Sequence, residues 1–458
     1  MTVSVAGRTL LVTFFAVYLI AGIWTTRRAH ATGDETYYLM AADALVRGEG
    51  LDLTARWQDL RAASYDPGVP VPRAELERST SPSRVRAGDY PLHDLGLPFL
   101  IAGPFALGGR ALVVAGIALA MAAAVALGHR VAMALGVRPA HAMAGALAAG
   151  LSVPAMTYSG QVFADAIAPV PYGVALCALA RAAPRWLFGP AVAALPLLHL
   201  RFWPLALALV VAYAVVLRPG RRELAATLVP LGIVVAVVSL VDLAVYGVPL
   251  PHAGFLLFFL DRPEARISAF TRPGGEGLLG VFVDRAFGLL PAAPIAAIAF
   301  VGAGCALRRR PSAVLAATAV PYLVLASFAD WTGGFGPQAR FLTVLVPLIV
   351  PLLGLALGFR WIGPSAVALG VWTLGQSLVY VVAPWLRYDS YGVPPLADDA
   401  WRRFVGIVPG SVFPLFGTDG ATAALAAAYA ALLAALAVGG RLVGCHAVVT
   451  RGPDDGSA

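Results

Sequence analysis

The sequence predicts an all-helical membrane protein that crosses the bilayer about twelve times. Three observations predict it. Of the 458 residues, 59% are hydrophobic and only 13% charged, against about 25% charged in a soluble domain. The apolar residues fall in runs approaching the roughly 20 residues that a helix needs to span hydrocarbon. Lipid cannot bond open backbone groups, so such runs must be helices. Finally, arginine is shared unevenly among the polar segments between the runs. No internal repeat or low-complexity tract stands out, and 1–458 reads as one membrane domain.

The first run, Thr9 to Trp24, follows Arg8 and reads as span 1. A cleaved signal peptide is the alternative, because Ala29-His30-Ala31 offers a small-x-small site; the length of the run and Arg27-Arg28 oppose it. Residues 27–94 form a polar loop with Pro67, Pro70, Pro72 and Pro82. Inside it, the spacing of Tyr38, Ala41, Ala42 and Leu45 predicts a short helix over Tyr37 to Val46, lying on the membrane interface. Leu95 to Leu107 is cut by Pro98 and Pro104, is too short to span, and reads as re-entrant. Further spans are predicted at 111–128, 141–158, 163–180, 187–199, 202–217, 224–245, 288–306, 312–329, 341–358, 363–384 and 421–439. The short pair 187–199 and 202–217 reads as two half-helices meeting at His199-Leu200-Arg201, a device that marks binding sites. Segments 246–287 and 385–420 are further outer loops. Gly354 and Gly358 form a GxxxG, which predicts close helix packing.

Charge sets the orientation. With the N-terminus inside, the cytoplasmic segments hold Arg8, Arg130, Arg138, Arg181, Arg185, the Arg218/Arg221/Arg222 and Arg308/Arg309/Arg310 clusters, Arg360, Arg441 and Arg451. Their only acids are Glu223, Asp454 and Asp455. By the positive-inside rule both termini are cytoplasmic and 27–94 is outside, as in a multi-pass membrane protein. The formal charge is +8, and all 33 basic residues are arginine. Without lysine there is no Walker A motif and no Schiff base. HExxH, CxxC and GxSxG are also missing, and the basic excess reports topology rather than nucleic acid. Cys177, Cys305 and Cys445 lie near cytoplasmic span ends and imply no disulfide framework.

This topology gathers ionisable residues at one outer boundary. Asp34 and Glu35 follow span 1, Asp94 precedes the next apolar stretch, and Asp165 opens a span after Tyr158-Ser159-Gly160-Gln161. His199 and Arg201 lie at the half-helix junction and Asp242 near a span end. Asp330, Trp331 and Arg340 bracket a loop with Gly333, Gly334, Gly336 and Gln338. Charge at a membrane edge is costly, and an extracytoplasmic site explains its convergence. Each residue also has a structural reading. The acids can be solvated or cap helices, His199 and Arg201 can snorkel, Trp331 can anchor the interface, and His93 can be an isolated structural histidine. No metal-ligand spacing is present, although Asp34, Glu35 and Asp165 are able to meet around a divalent ion in three dimensions.

The order of motifs carries a resemblance. Gly33-Asp34-Glu35-Thr36-Tyr37-Tyr38-Leu39 follows span 1, with Leu51-Asp52-Leu53 downstream. His93-Asp94-Leu95-Gly96-Leu97-Pro98 comes next, then Tyr158 to Asp165 and Leu198-His199-Leu200-Arg201. Tyr246-Gly247-Val248-Pro249, Gly280 to Leu290 with Asp284-Arg285, and Trp331 to Arg340 complete the series. This resembles the bacterial membrane glycosyltransferases of the GT-C fold, relatives of protein O-mannosyltransferases and of the aminoarabinose transferase that acts on lipid A. The resemblance runs to about residue 345. It implies a polyprenyl-phosphate sugar donor and an envelope glycan, lipid or protein acceptor. It makes Asp34, with Glu35 beside it, the catalytic base or acceptor-binding acid, and Asp165 a second catalytic acid. Asp165 stands where such enzymes more often carry Glu. The substrate-binding candidates are Tyr37, Tyr38, His93, His199, Arg201, Asp284, Arg285, Trp331, Gln338 and Arg340.

Physical chemistry points the same way. Outside the cytoplasm no nucleotide is supplied, so an activated sugar arrives on a lipid. Its transfer needs a base for the acceptor hydroxyl and a cation for the departing phosphate. Arginine grips phosphate with a two-pronged fork, and Arg340 and Arg201 are best placed for it. The rival is a transporter or flippase of a lipid-linked or anionic solute, which needs polar groups near mid-membrane. Here the span interiors are nearly uncharged, which favours chemistry at the surface.

Overall fold

Each predicted span forms helix, because an apolar run without water has no other way to bond its own backbone. The computed structural model describes residues 5–29, 31, 33–58, 80, 81, 83–85, 87–261, 274–328, 331–333, 336–387, 396–406, 408–416 and 421–443. Among these, one two-residue ladder, Thr80–Ser81 against Tyr90–Pro91, is the only β-structure. Eight helices are long and apolar enough to cross a membrane. The shorter apolar helices Ala164–Leu179, Arg185–Leu198 and Pro294–Ala306, with Pro139–Gly150, take the other predicted positions. Among the described residues, length and composition by themselves thus qualify eight spans.

The bundle is built around Arg340–Leu357, the most buried of the eight, while Arg221–Tyr246 is almost wholly outside. A helix that is apolar all round belongs in a core or in lipid, and these two take one place each. Arg340–Leu357 packs on Gly96–Ala134, Pro139–Gly150 and Ile298–Ala306. A Cβ on Gly145 would lie 2.6 Å from the Val350 carbonyl oxygen and 2.8 Å from the Gly354 nitrogen, so that contact requires glycine at 145. On the outer helix, Val229, Ile233 and Leu240 face away from the protein. Helix Val5–Thr26 is integral to the bundle: Leu10, Phe14 and Tyr18 are buried, and Tyr18 Oη donates to the Gly150 carbonyl at 2.7 Å.

Leu95 to Leu107 is the short piece expected: it forms helix from Gly96 and ends where Gly108 (φ −156°) and Gly109 (φ 58°) leave helical geometry and divide the stretch Gly96–Ala134 in two. Pro98 falls in the first turn, where a missing N–H costs nothing. A straight 39-residue helix would be about 58 Å long, roughly twice the hydrocarbon thickness. The stretch turns instead at Gly108 and Gly109. Other expectations change. The span expected at 141–158 stops at Gly150, and Ala155–Tyr158 is a separate turn of helix. Helix Asp34–Val46 is buried from Glu35 to Ala44, inside the fold rather than along its outside. The expected loops 246–287 and 385–420 contain helices Ala253–Asp261, Gly274–Val283 and Leu396–Val405. Pro67, Pro70, Pro72, Pro82, Asp330 and Gly334 lie outside the described residues. Cys177 is a free, buried thiol, whereas Cys305 is disulfide-bonded, one bond rather than a framework.

Candidate active site

Four charged residues stand at the starts of four helices. Asp34 opens Asp34–Val46, Asp165 is in the first turn of Ala164–Leu179, Arg201 is the second residue of Leu200–Leu217, and Arg340 opens Arg340–Leu357. Helix N-termini favour carboxylates and disfavour cations, so the two arginines need anionic partners. Arg340 has them. Its Nε donates to Asp165 Oδ2 at 3.0 Å, its Nη2 to Asp34 Oδ2, and its Nη1 to the Gly333 carbonyl at 2.7 Å. Its guanidinium also lies over the Phe163 ring, 4.6 Å from the centroid.

The chain is shaped to deliver that side chain. Ala339, just before it, has φ 60°, a left-handed conformation that costs a β-carbon residue about 1 kcal/mol or more. The Ala339 N–H is anchored on the Phe287 carbonyl at 2.9 Å. Gly333 has φ +79°, and a Cβ there would stand 3.0 Å from Arg340 Cδ, so only glycine lets the loop close over the arginine. Tyr158 Oη donates to the Pro337 carbonyl at 2.7 Å and pins the same loop.

Beside this closed hub are groups with spare hydrogen-bonding capacity. Arg201 Nη1 is 3.5 Å from Asp165 Oδ1 and makes no hydrogen bond among the described residues; its guanidinium rests over Phe341 at 4.7 Å. His93 Nε2 is 3.5 Å from Asp34 Oδ1, and neither His93 nitrogen has a hydrogen-bond partner among the described residues. The Tyr37 and Tyr38 rings flank His93 at 5.6 and 5.5 Å, and the buried Tyr38 hydroxyl is likewise unsatisfied. Burial would raise the pKa of Asp34, but Arg340, then His93, pull it well below the usual carboxylate range. Burial lowers that of His93; Asp34 opposes and Arg340 reinforces, leaving the imidazole below its ordinary value.

A second polar network adjoins the first. Asp94 Oδ2 accepts from the Leu200 N–H at 2.6 Å and its Oδ1 contacts His252 Nδ1. Trp203 Nε1 donates to His252 Nε2 at 2.9 Å, and His199 Nδ1 accepts from the Arg201 N–H at 3.2 Å. Burial first, then Arg201, hold His199 well below the usual histidine range. His199 is extended (φ −164°, ψ 143°), so the chain breaks between Phe188–Leu198 and the turn Leu200–Phe202 where expected, although the second piece, Leu200–Leu217, is long enough to be a span rather than a half-helix. A cavity of ≈ 70 Å³ has apolar walls from Phe99, Leu197, Val237 and Phe255 and a polar end at His93, Asp94, Asp242 and His252.

Other candidates lie elsewhere. Glu35 faces away from Asp34 and is fully buried against Arg110, whose Nε donates to Glu35 Oε1 at 2.9 Å. Asp284 accepts from the Ala286, Phe287 and Phe416 N–H groups at 2.8–2.9 Å, a turn cap that staples a distant loop. Arg285 pairs with Asp398 at 2.7 Å. Trp331 packs edge-on against Phe416, and the Gln338 amide oxygen accepts from Tyr380. Arg110, His252 and Trp203 were not among the sequence candidates. The one cue to Arg110 was an arginine at the Gly108-Gly109 break, and nothing singles out His252 or Trp203. A divalent ion among Asp34, Glu35 and Asp165 does not fit, because the Arg340 guanidinium bridges two of these acids and Arg110 holds the third. Among the described residues no three His, Cys, Asp or Glu are grouped to hold a metal.

No protein-family model and no curated protein matches the chain. Two solved structures are similar to it, both of ArnT from Cupriavidus metallidurans. The one bound to undecaprenyl phosphate has a TM-score of 0.47 and the apo state 0.46; each is 17% identical and covers 96% of this chain and 76% of that one.

Proposed function

We propose that the chain transfers a sugar from a polyprenyl-phosphate donor to an acceptor on the extracytoplasmic side of a bacterial inner membrane. The observation that carries this reading is the convergence of Asp34, Asp165, Arg201 and Arg340 at helix starts on one end of the bundle, beside unsatisfied groups of His93, Tyr38 and Arg201. A transporter needs charge reachable from both sides near mid-membrane; here it collects at one end. The motif order supports the same reading. So does the apolar cavity ending on His93 and Asp94, which suits a donor whose tail is lipid.

Roles differ from residue to residue. Arg340 was the leading phosphate candidate, but all its nitrogens are engaged by Asp165, Asp34 and Gly333, so it organises the site. Arg201 retains an uncommitted Nη1 at a helix start, where an anion also gains from the helix dipole. It takes the phosphate in this reading. Asp34 and Asp165 hold the two cations in register. Glu35, Asp284, Arg285, Trp331 and Gln338 support the scaffold. The termini face the cytoplasm, 27–94 lies outside, and 1–458 acts as one unit.

The test uses purified protein in micelles with a panel of synthetic polyprenyl-phosphate sugars and measures release of polyprenyl phosphate. Release with a matching donor is expected. Intact donor, together with its passage across proteoliposome membranes, would establish the transporter instead.

A further inference from the structure

We propose that His93 takes the proton from the acceptor hydroxyl and that Asp34 orients it, so that the base of the reaction is an Asp–His pair rather than a lone carboxylate. This rests on the sugar-transfer reading. Asp34 Oδ2 holds Arg340 Nη2, and its Oδ1 faces His93 Nε2 at 3.5 Å. A carboxylate held beside an arginine stays ionised and is a weak base. His93 has the reverse properties. Among the described residues its two nitrogens make no hydrogen bond, its side chain is only 12% exposed, and it borders the cavity.

The tautomer with Nε2–H toward Asp34 leaves the Nδ1 lone pair to receive a proton. The 3.5 Å separation is longer than a good hydrogen bond, as catalytic contacts often are before substrate tightens them. The groups acting on His93 are Asp34, Asp94, Arg201, Arg340 and His199, with the Tyr37 and Tyr38 rings on either side. Their sum with burial keeps the imidazole neutral at neutral pH, the form a base requires. Asp34 stays ionised through the same range and stabilises the imidazolium once it forms, the division of labour of an Asp–His pair.

The step balances without a redox partner. The acceptor oxygen forms a bond to the anomeric carbon as the bond from that carbon to the phosphate oxygen breaks. The electron pair leaves on the polyprenyl phosphate, opposite Arg201. The hydroxyl proton moves to His93 Nδ1 and is later released to water.

The experiment compares wild type, His93→Gln and His93→Ala in micelles, using the synthetic polyprenyl-phosphate sugar that wild type accepts. His93→Gln keeps an amide donor toward Asp34 and controls for folding. Both variants are expected to lose turnover by about 10² to 10⁴ with little change in KM. Added imidazoles should restore His93→Ala at rates that rise with the pKa of the imidazole, a dependence that filling a hole does not produce. In wild type, turnover should fall as pH drops through the pKa of His93, and His93→Gln should lack that limb. Wild-type turnover in the folded His93→Gln protein, or rescue indifferent to imidazole pKa, overturns the assignment. Wild-type protein inactive on every donor refutes the transfer reading, and the proposal with it, before any variant is made.

Discussion

Two buried polar networks lie side by side in this protein and differ in one respect. Around Asp94, donors and acceptors are matched: Leu200 N–H and His252 on the carboxylate, Trp203 on the far side of His252, and the Arg201 N–H on His199. Around Asp34, a fully bonded Arg340 sits next to groups with bonds still to make: Tyr38 Oη, both nitrogens of His93 and Arg201 Nη1. Buried polar groups are nearly always satisfied, so charge and burial do not separate a site from a scaffold here. What sets these two networks apart is the unused hydrogen-bonding capacity beside Asp34. The same contrast runs between neighbours in the chain: Asp34 faces the open network, while Glu35 closes on Arg110.

The largest effect should come from the open side. Asp34→Asn removes the charge that holds Arg340 and His93, and turnover should fall by about 10² to 10⁴, the scale of losing a general base or its orienting carboxylate. Normal turnover by the folded variant would make this network a scaffold like its neighbour. Next in size is a change of stability alone. Glu35→Gln leaves Arg110 buried without its counter-charge, which costs about 3–5 kcal/mol. A much lower unfolding midpoint in micelles, with unchanged turnover per folded molecule, is expected. Reduced turnover in folded Glu35→Gln would instead bring Glu35 into the chemistry.

How far was this legible from residues? The spans were, because hydrocarbon leaves a long apolar run a single solution. Asp34 was also, because an acid at the membrane edge needs a reason. Pairing was not. Arg110 meets Glu35 across 75 positions, Arg340 meets Asp34 across 306, and His252 meets Asp94 across 158. No local spacing encodes such contacts. For that reason Glu35 resembled its neighbour and Arg340 looked free to bind phosphate. The short piece Leu95 to Leu107 was legible too, although its end is set by Gly108 and Gly109 rather than by Pro98 or Pro104.

A smaller effect separates the two arginines. Arg201→Ala should lower turnover by roughly 10²-fold or more, as when one donor to a developing anion is lost, while Arg201→Lys keeps charge but loses the fork. Because Arg201 closes no other hydrogen bond through Nη1, the unfolding midpoint should move little. Arg340→Lys should behave in the opposite way, losing stability because one ammonium cannot hold Asp34, Asp165 and Gly333 together. Equal and purely kinetic losses in both variants would erase the distinction between hub and ligand.

The smallest effect tests the closed network itself. Trp203→Phe keeps the ring but removes the N–H that His252 Nε2 accepts. An unsatisfied buried acceptor costs about 1–3 kcal/mol, so the midpoint should drop modestly while turnover holds. The pH dependence fixes the cause. Burial lowers the pKa of His252, but Asp94 outweighs it, so the net value lies above the usual one. In wild type, protonation at Nε2 would set a second donor against Trp203 Nε1–H, which favours the neutral ring. In Trp203→Phe that opposition is gone, and the imidazolium can form freely beside Asp94. A histidine whose folded pKa is raised adds stability that is present at low pH and fades as pH rises through the folded value. The variant should therefore look worst above that pKa and recover toward wild type as pH falls below it. A deficit that stays constant across the histidine range would mean that Trp203 acts by packing alone. A loss of turnover without a loss of stability would mean that the Asp94 network belongs to the site after all.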